Sequence, residues 1–320
     1  MSGRLWFVIL AVLAGSGATA QQYPVKPVRI VVGFTPGGGN DVISRLVASN
    51  LTTAFGRQFV VENRPGAGGM IAAELVAKSP ADGYTLFLAG VATHGINPNL
   101  QKNIPYDPIK DFDPVSLIAS APALLAVHPS LPARTVKQFI AFAKARPGQL
   151  NYASSGHGSS SQLAAELFNS MTGTKIQHVP YKGIGAASTD LLSGQVQVMF
   201  NAAAALLVHT RSGRMRALGI GSLQRIPAIP DIPTLSESGV TGYQSGSWYG
   251  FVAPAGTPRA IVDRLSRETA AAVKSQDISS KLSAEANQVI GSSPEEFSAH
   301  IKGELARIGK VIRAAGITME

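Results

Sequence analysis

The feature that most constrains this chain is a strand–loop–helix alternation that runs over residues 28–89 and starts again after residue 127. Val28 to Phe34 is an apolar run with the composition of a buried strand. A glycine-rich loop, residues 35–40, follows it. Asp41 to Phe55 then places Val42, Ile43, Leu46, Val47 and Leu51 at helical spacing. Phe59 to Glu62 reads as a second strand, closed by the turn Asn63-Arg64-Pro65-Gly66. Met70 to Lys78 reads as a helix and Thr85 to Ala89 as a third strand. Such βαβαβ order predicts an open, mainly parallel sheet with helices on both faces.

The second round begins beyond a long apolar stretch, Val115 to Val127. Thr135 and Gln138 have the spacing of a capping box. Asn151–Ser154, His178–Tyr181, Val196–Phe200 and Arg216–Ile220 read as strands, with helices over Ser161–Met171 and Ser188–Leu192. The last part is helical. Thr257 is expected to cap a helix with Pro258 at its first position, with Ile261, Val262, Leu265, Thr269, Ala272 and Val273 as its apolar stripe. Ser293-Pro294-Glu295-Glu296 is a second capping box, ahead of Phe297, Ile301, Leu305, Ile308 and Ile312. Too few strands follow Val252 to build a sheet of their own, so these helices are expected to cover the first unit. The reading is an α/β protein of two lobes, residues 21–122 with 250–320 and residues 123–249. Two crossovers join them, near Ala119–Leu125 and Gly246–Val252, with a ligand cleft between the lobes.

The first twenty residues read as an address rather than as fold. Arg4 precedes the apolar run Leu5–Ala14, and Ala18-Thr19-Ala20 is a small-x-small cleavage site before Gln21. The apolar run is shorter than the roughly 20 residues a membrane span needs. Cleavage would remove only Arg4 from the formal charge of +9, leaving +8 on a chain that folds outside the cytoplasm. The chain has no cysteine, which excludes a disulfide scaffold, a catalytic thiol, an iron–sulfur centre and a cysteine zinc finger. Hydrophobic residues at 45% and charged residues at 15% exclude intrinsic disorder. The basic residues are scattered, the densest group being Arg211, Arg214 and Arg216, so the positive balance is not a nucleic-acid footprint. It is compatible with steering a small anion.

In an open α/β sheet, ligands bind beyond the carboxyl ends of strands, at helix N-termini. Three junctions have suitable composition: residues 34–41, residues 154–161 and residues 181–186. Their glycines free backbone N–H groups, their hydroxyls add donors, and a helix N-terminus adds partial positive charge. These are cradles for a carboxylate or a phosphate. Motifs of P-loops, dinucleotide folds, nucleophile elbows and zinc proteases are missing, and the six histidines have no metal-ligand spacing. His157 can hydrogen-bond a ligand or stand in solvent. Lys182 can pair with a ligand carboxylate or face water. Asp41 can accept a ligand amine or serve the helix N-terminus. Trp248 and Tyr249 can pack the hinge or wall the cleft.

Collinear blocks then carry a resemblance. They include residues 23–32, Pro36-Gly37-Gly38-Gly39-Asn40-Asp41, residues 62–69, Pro80-Ala81-Asp82-Gly83-Tyr84-Thr85-Leu86, residues 179–183, residues 190–196, Pro230-Asp231-Ile232-Pro233-Thr234-Leu235, residues 253–258 and Ala314-Ala315-Gly316-Ile317. The chain resembles the substrate-binding proteins of tripartite tricarboxylate transporters, the Bug-type extracytoplasmic solute receptors. The resemblance implies a type II periplasmic-binding-protein fold and a monomeric periplasmic receptor. Such a receptor hands a di-, tri- or aromatic carboxylate to membrane permease subunits, with no cofactor, metal, nucleic acid or catalysis. With the loop reading it gives a candidate ligand set. In the first lobe these are Phe34, Thr35, Pro36, Gly37, Gly38, Asn40, Asp41 and Thr93. In the second they are Ser154, Ser155, Gly156, His157, Gly158, Ser159, Tyr181, Lys182, Gly183, Asn201 and Tyr249. The chain departs from relatives at Gln162, where they often have His, at Ala186, where they often have Pro, and at Asn201, where they commonly have an acid. A neutral Asn201 predicts a plain carboxylate rather than an amino acid. The rivals are a receptor that presents its ligand to a sensor kinase, and a secreted serine hydrolase using Ser155 or Ser159 with His157.

Overall fold

A computed structural model describes residues 23–317. The expected leader therefore lies outside the described residues. Among those described, no helix is long and apolar enough to cross a membrane.

The first half opens with β1 (Val28–Val32), α1 (Gly39–Phe55), β2 (Phe59–Asn63), α2 (Met70–Ala77), β3 (Thr85–Gly90) and the short α3 (Asn97–Leu100). β1 lies between β2 and β3, parallel to both, as the alternation predicts. The apolar stretch after it is one long strand, β4 (Phe112–Val127). The second half holds α4 (Val136–Lys144), β5 (Asn151–Ser154), α5 (Ser160–Thr172), β6 (Gln177–Pro180), α6 (Ile184–Leu192), β7 (Val198–Ala202), α7 (Ala203–Arg211) and β8 (Arg216–Ile220). The chain returns through β9 (Gly246–Pro254) and ends with α8 (Arg259–Lys274), α9 (Gln276–Ala284), the two-residue β10 (Gln288–Val289) and α10 (Pro294–Ala315).

The sheet order is β2-β1-β3-β9-β4-β7-β5-β6, with β8 and β10 also pairing β4. Only the outer pairs are parallel. β9 is antiparallel to β3 and to β4, and β4 is antiparallel to β7 and β8. The sheet is thus more mixed than the alternation predicts, for a topological reason. One strand leaves the first half and the other re-enters it, so two paired crossing strands must run in opposite directions. β4 pairs with β9 from Phe112↔Pro254 to Pro122↔Gly246, and then with β7 from Ala123↔Ala202 to Val127↔Val198. The expected crossovers are these two strands.

Alternating side chains cover both sheet faces with helices. In the first half Ile30, Leu88 and Phe251 pack with residues of α1, α8 and α9, while Val31, Phe87 and Val252 pack with residues of α2 and α10. In the second half Tyr152 and Phe200 join Phe139 of α4 and Phe168 of α5, and Ala153 and Met199 join Leu191 of α6 and Leu206 of α7. Burial of each large apolar side chain contributes roughly 1.5–3 kcal/mol. α8, α9 and α10 do cover the first half.

The helix ends largely follow the local signals. Ser293 and Glu296 form the reciprocal capping box, with Pro294 opening α10. Thr135 Oγ1 accepts the Gln138 N–H at 3.2 Å, but the Gln138 side chain bonds Arg134 N at 2.8 Å instead of Thr135. Thr257 does not cap α8. Its hydroxyl donates to Pro254 O at 2.7 Å and its N–H goes to Asp113 Oδ2 at 3.0 Å, so the helix starts after Pro258. α6 starts at Ile184, four residues earlier than expected, and absorbs the end of the third loop.

Candidate functional site

The first-half loop is built by a short strand and a buried acid. β1 ends at Val32, and Gly33 lies so close to the chain that a Cβ there would sit 2.7 Å from Gly69 Cα. Asp41 lies in the first turn of α1 and is 4% exposed. Its carboxylate accepts from Gly37 N, Arg45 Nε and Asn63 Nδ2, each at 3.0 Å. Asn63 also donates to Phe34 O at 3.0 Å. Hydrogen bonding to Arg45 is the main reason that Asp41 lies below the ordinary carboxylate value, against the opposing effect of burial. Asp41 is therefore not the N-cap, which is Gly38, and its carboxylate is occupied in tying the loop to α1 and β2. That leaves Thr35, Pro36, Gly37 and Gly38 exposed and Asn40 half-buried, with Gly37 at φ +82°.

Thr93 and Tyr249 stand behind this loop. Thr93 sits in a π-turn after β3, with its hydroxyl 3.0 Å from His94 Nδ1 and 3.3 Å from Gly90 N. Its methyl and the Phe34 ring both close on Gly69, where a Cβ would lie 2.8 Å from Thr93 Cγ2. Tyr249 pairs with Gly90 and Ala119 at the crossing strands. Its hydroxyl lies 3.1 Å from where a Cβ on Gly39 would be, at the start of α1. Burial, and then the charge of Glu285, pushes it up to about 12, so it is a neutral donor. Trp248 faces the other way. It is 3% exposed and meets the rings of Phe297 and His300 edge-on, so it packs the joint beneath α10.

The second-half loop, residues 154–161, is a hydroxyl network on the N-terminus of α5. Ser159 is the N-cap, accepting from Gln162 N, and its hydroxyl donates to Gly156 O at 2.6 Å. Ser161 Oγ accepts the Ser155 N–H at 3.0 Å and lies 3.1 Å from Ser155 Oγ and 2.9 Å from Ser159 Oγ. Gly156 and Gly158 have φ of +121° and +70°, which L side chains rarely adopt. Ser154 is buried at the end of β5, its hydroxyl accepting from Gly156 N at 3.0 Å. His157 is exposed, its ring edge-on to His178 at 5.1 Å. Neither Ser155 nor Ser159 bonds it among the described residues, so the pairing the hydrolase reading needs is not formed.

Beyond β6, Tyr181 donates its hydroxyl to Asp190 at 2.7 Å and its N–H to Ser154 O. Lys182 is exposed, and Gly183 is the N-cap of α6. Asn201 lies opposite Leu124 of β4, and its Oδ1 accepts the Ala202 N–H at 2.7 Å. The loops border one joint. Ser247 of β9 donates to Ser160 of α5 at 3.1 Å, and Ala202 packs against the first-half core.

Sequence reasoning missed the residues that hold these loops. Asn63 and Arg45 fix the first. His178, read only as part of a strand, bonds Ser154 Oγ through Nε2 at 2.6 Å, and Gln162, noted only as a departure, faces its Nδ1 at 3.3 Å. The available signal was Gln162 standing four residues after Gly158. Arg216, counted in a basic cluster, instead donates to the carbonyls of Pro129, Leu131 and Ala133. Two concavities lie apart from all candidate residues. One of about 300 Å³ opens where Pro122 and Gly246 meet Arg307, and one of about 610 Å³ lies between Arg259 and Lys302.

Two α/β halves joined by paired antiparallel strands, with donor-rich loops at the strand ends beside the joint, define a periplasmic-binding-protein fold of the second type. The model of the tripartite tricarboxylate transporter family receptor matches residues 43–317, and the chain belongs to that family. Protein BugT of Bordetella pertussis is 36% identical over 99% of both chains. Rpa4515 of R. palustris, solved with adipate, is 40% identical, with a TM-score of 0.86 over 92% of this chain and 99% of its own. MatC of Rhodopseudomonas palustris, solved with malate, is 32% identical, with a TM-score of 0.81 over 91% of this chain and 100% of its own. The family is one of solute receptors rather than of enzymes.

Proposed function

We propose that this chain is a periplasmic receptor that captures a small organic carboxylate and delivers it to the permease subunits of a tripartite tricarboxylate transporter. The observation that carries the reading is the pair of neutral donor loops at the joint. Exposed backbone around Gly37 and Gly38 and the half-buried hydroxyls of Ser155 and Ser159 lie on these loops, with Ser154 buried behind the second, and the one acid among them, Asp41, is occupied. Uncharged, preformed donors hold an anion without the desolvation cost of a buried counter-ion and can release it. Residues 23–122 and 250–317 would act as one lobe and residues 123–249 as the other, closing on the ligand about β4 and β9. The adipate and malate held by two relatives support the ligand class. Neutral Asn201 favours a plain carboxylate over an amino acid.

A thermal-shift series tests this. Linear dicarboxylates, malate and aromatic acids are compared with aspartate, glutamate and neutral diamides. A ligand at a hundredfold excess over its Kd adds about 2.7 kcal/mol to stability. The expected result is a clear shift with one acid class and none with the diamides. No shift with any acid, in protein freed of carried-over ligand, sinks the reading. Preferential binding of aspartate sinks the role given to Asn201.

A further inference from the structure

Tyr249 carries a hydroxyl that the fold delivers to the start of α1 and leaves without a partner. The residue is 7% exposed and joins the first-half core, and its backbone is held between Gly90 and Ala119. The hydroxyl lies 3.1 Å from the place a Cβ on Gly39 would take. Gly39 is the first residue of α1, and a Cα–Cβ bond leans toward the N-terminus of its helix. The hydroxyl therefore stands at that end of α1, beside a residue that is itself exposed. A buried phenol usually finds a partner. Among the described residues this one has none, yet it is not sealed off as Trp248 Nε1 and His300 Nε2 are.

The backbone of α1 adds donors at the same point. Asp41 N and Val42 N both reach Gly38 O, at 2.9 and 3.0 Å, and Gly37 N goes to Asp41. The amides of Gly39 and Asn40 have no partner among the described residues, and they point out of the helix end. α5 supplies the contrast. Its first residue is Ser160, whose hydroxyl takes the bond from Ser247, two residues before Tyr249 on β9. β9 thus brings one hydroxyl to the first residue of each helix that carries a donor loop. Where that residue is serine the bond closes within the protein, and where it is glycine it does not.

We infer that the Tyr249 hydroxyl and the Gly39 and Asn40 amides form one carboxylate subsite, in which Tyr249 touches the ligand and residue 39 must be glycine. Amides only donate, so the group that suits this place is an acceptor, and a carboxylate offers two oxygens to share among the donors. The helix N-terminus favours its charge. Burial, and then Glu285, pushes the phenol up to about 12, so it keeps its proton at pH 7. Glu285 is exposed, and water and salt screen it from an anion here. Gly39 is not at positive φ, so alanine would be opposed there by contact alone. Its Cβ would press on a phenol whose buried ring has little room to move.

The inference rests on the carboxylate-receptor reading, and the two can fail separately. Calorimetry uses adipate, or whichever acid of the thermal-shift series the wild type holds most tightly. Tyr249→Phe is expected to weaken binding about 10- to 100-fold, the range for a hydrogen bond to a charged group. Gly39→Ala should weaken it by displacing the hydroxyl. Once the hydroxyl is gone the Cβ has room, so the double variant should bind about as Tyr249→Phe does. Wild-type affinity in Tyr249→Phe overturns the inference, and additive losses overturn the role given to Gly39. Urea unfolding without ligand is the second arm. The Tyr249→Phe midpoint should match the wild type, because the hydroxyl bonds nothing in the protein. A lowered midpoint would show an internal bond and would also overturn the inference. If the wild type binds no acid of the series, the receptor reading itself fails; if it binds one and Tyr249→Phe binds it equally, only the subsite does.

Discussion

Gly246 lies against Pro122 where β4 and β9 pass from one half of the molecule to the other. A Cβ on Gly246 would sit 2.7 Å from Pro122 Cα and closer still to the Ala121 carbonyl, and its φ of +150° is one that L side chains rarely adopt. Gly246→Ala is therefore expected to cost about 2–4 kcal/mol, since neither backbone can give way without breaking the ladder. Urea unfolding of the variant checks this. A loss below about 0.5 kcal/mol would mean that the two strands are not held at this spacing.

Asp41 holds the first loop, so Asp41→Ala is expected to lower stability by about 1–3 kcal/mol and to loosen residues 35–38. The folded carboxyl lies below its ordinary value. Its contribution is complete above that ordinary value and disappears as pH falls through the folded one. Hydrogen exchange at Gly37 N–H is the direct readout. Unchanged protection in Asp41→Ala would contradict the tie.

His94 is fully buried and burial pushes it down to about 3, with its Nδ1 beside Thr93 Oγ1. The unfolded ring takes up a proton near 6.5 while the folded ring does not, so stability is complete above 6.5 and falls as pH drops toward 3. This one group can contribute a slope of up to about 1.4 kcal/mol per pH unit in that window. Urea midpoints between pH 7 and 5 should decline in the wild type and decline less steeply in His94→Gln. An equal slope in both would place the acid sensitivity elsewhere.

Ser293 is the N-cap of the longest described helix, and Glu296 returns the bond to Ser293 N at 2.8 Å. Ser293→Ala is expected to cost about 1 kcal/mol in an equilibrium unfolding curve. Thr257→Ala should leave the start of α8 unchanged, because that hydroxyl caps nothing. A shift of the α8 boundary would refute this.

Much of the architecture was legible from residues 28–89 and from the restart after residue 127, because each strand is short, apolar and followed by a helical stripe. β1, β5 and β8 lie where the pattern puts them. The pairing of β4 with β9 was not legible. Nothing local in Phe112–Val127 says which distant segment will supply its partner, and only chain return decides that. Thr257 shows the same limit at small scale. Its residue type suits a cap, but Asp113, distant in sequence, took its N–H, and Pro254 took its hydroxyl proton.

The candidate site divides along the same line. Which loops are rich in glycine and hydroxyls, and hence suit an anion, follows from the residue types alone. The tertiary structure alone decided what each group is free to do. Asp41 was turned inward by Asn63 and Arg45, Trp248 was sent beneath α10 while Tyr249 reached the start of α1, and Ser154 was buried between His178 and Gly156. A hydrogen bond's direction depends on every partner around the atom, and those partners come from strands and helices that only the completed fold brings together.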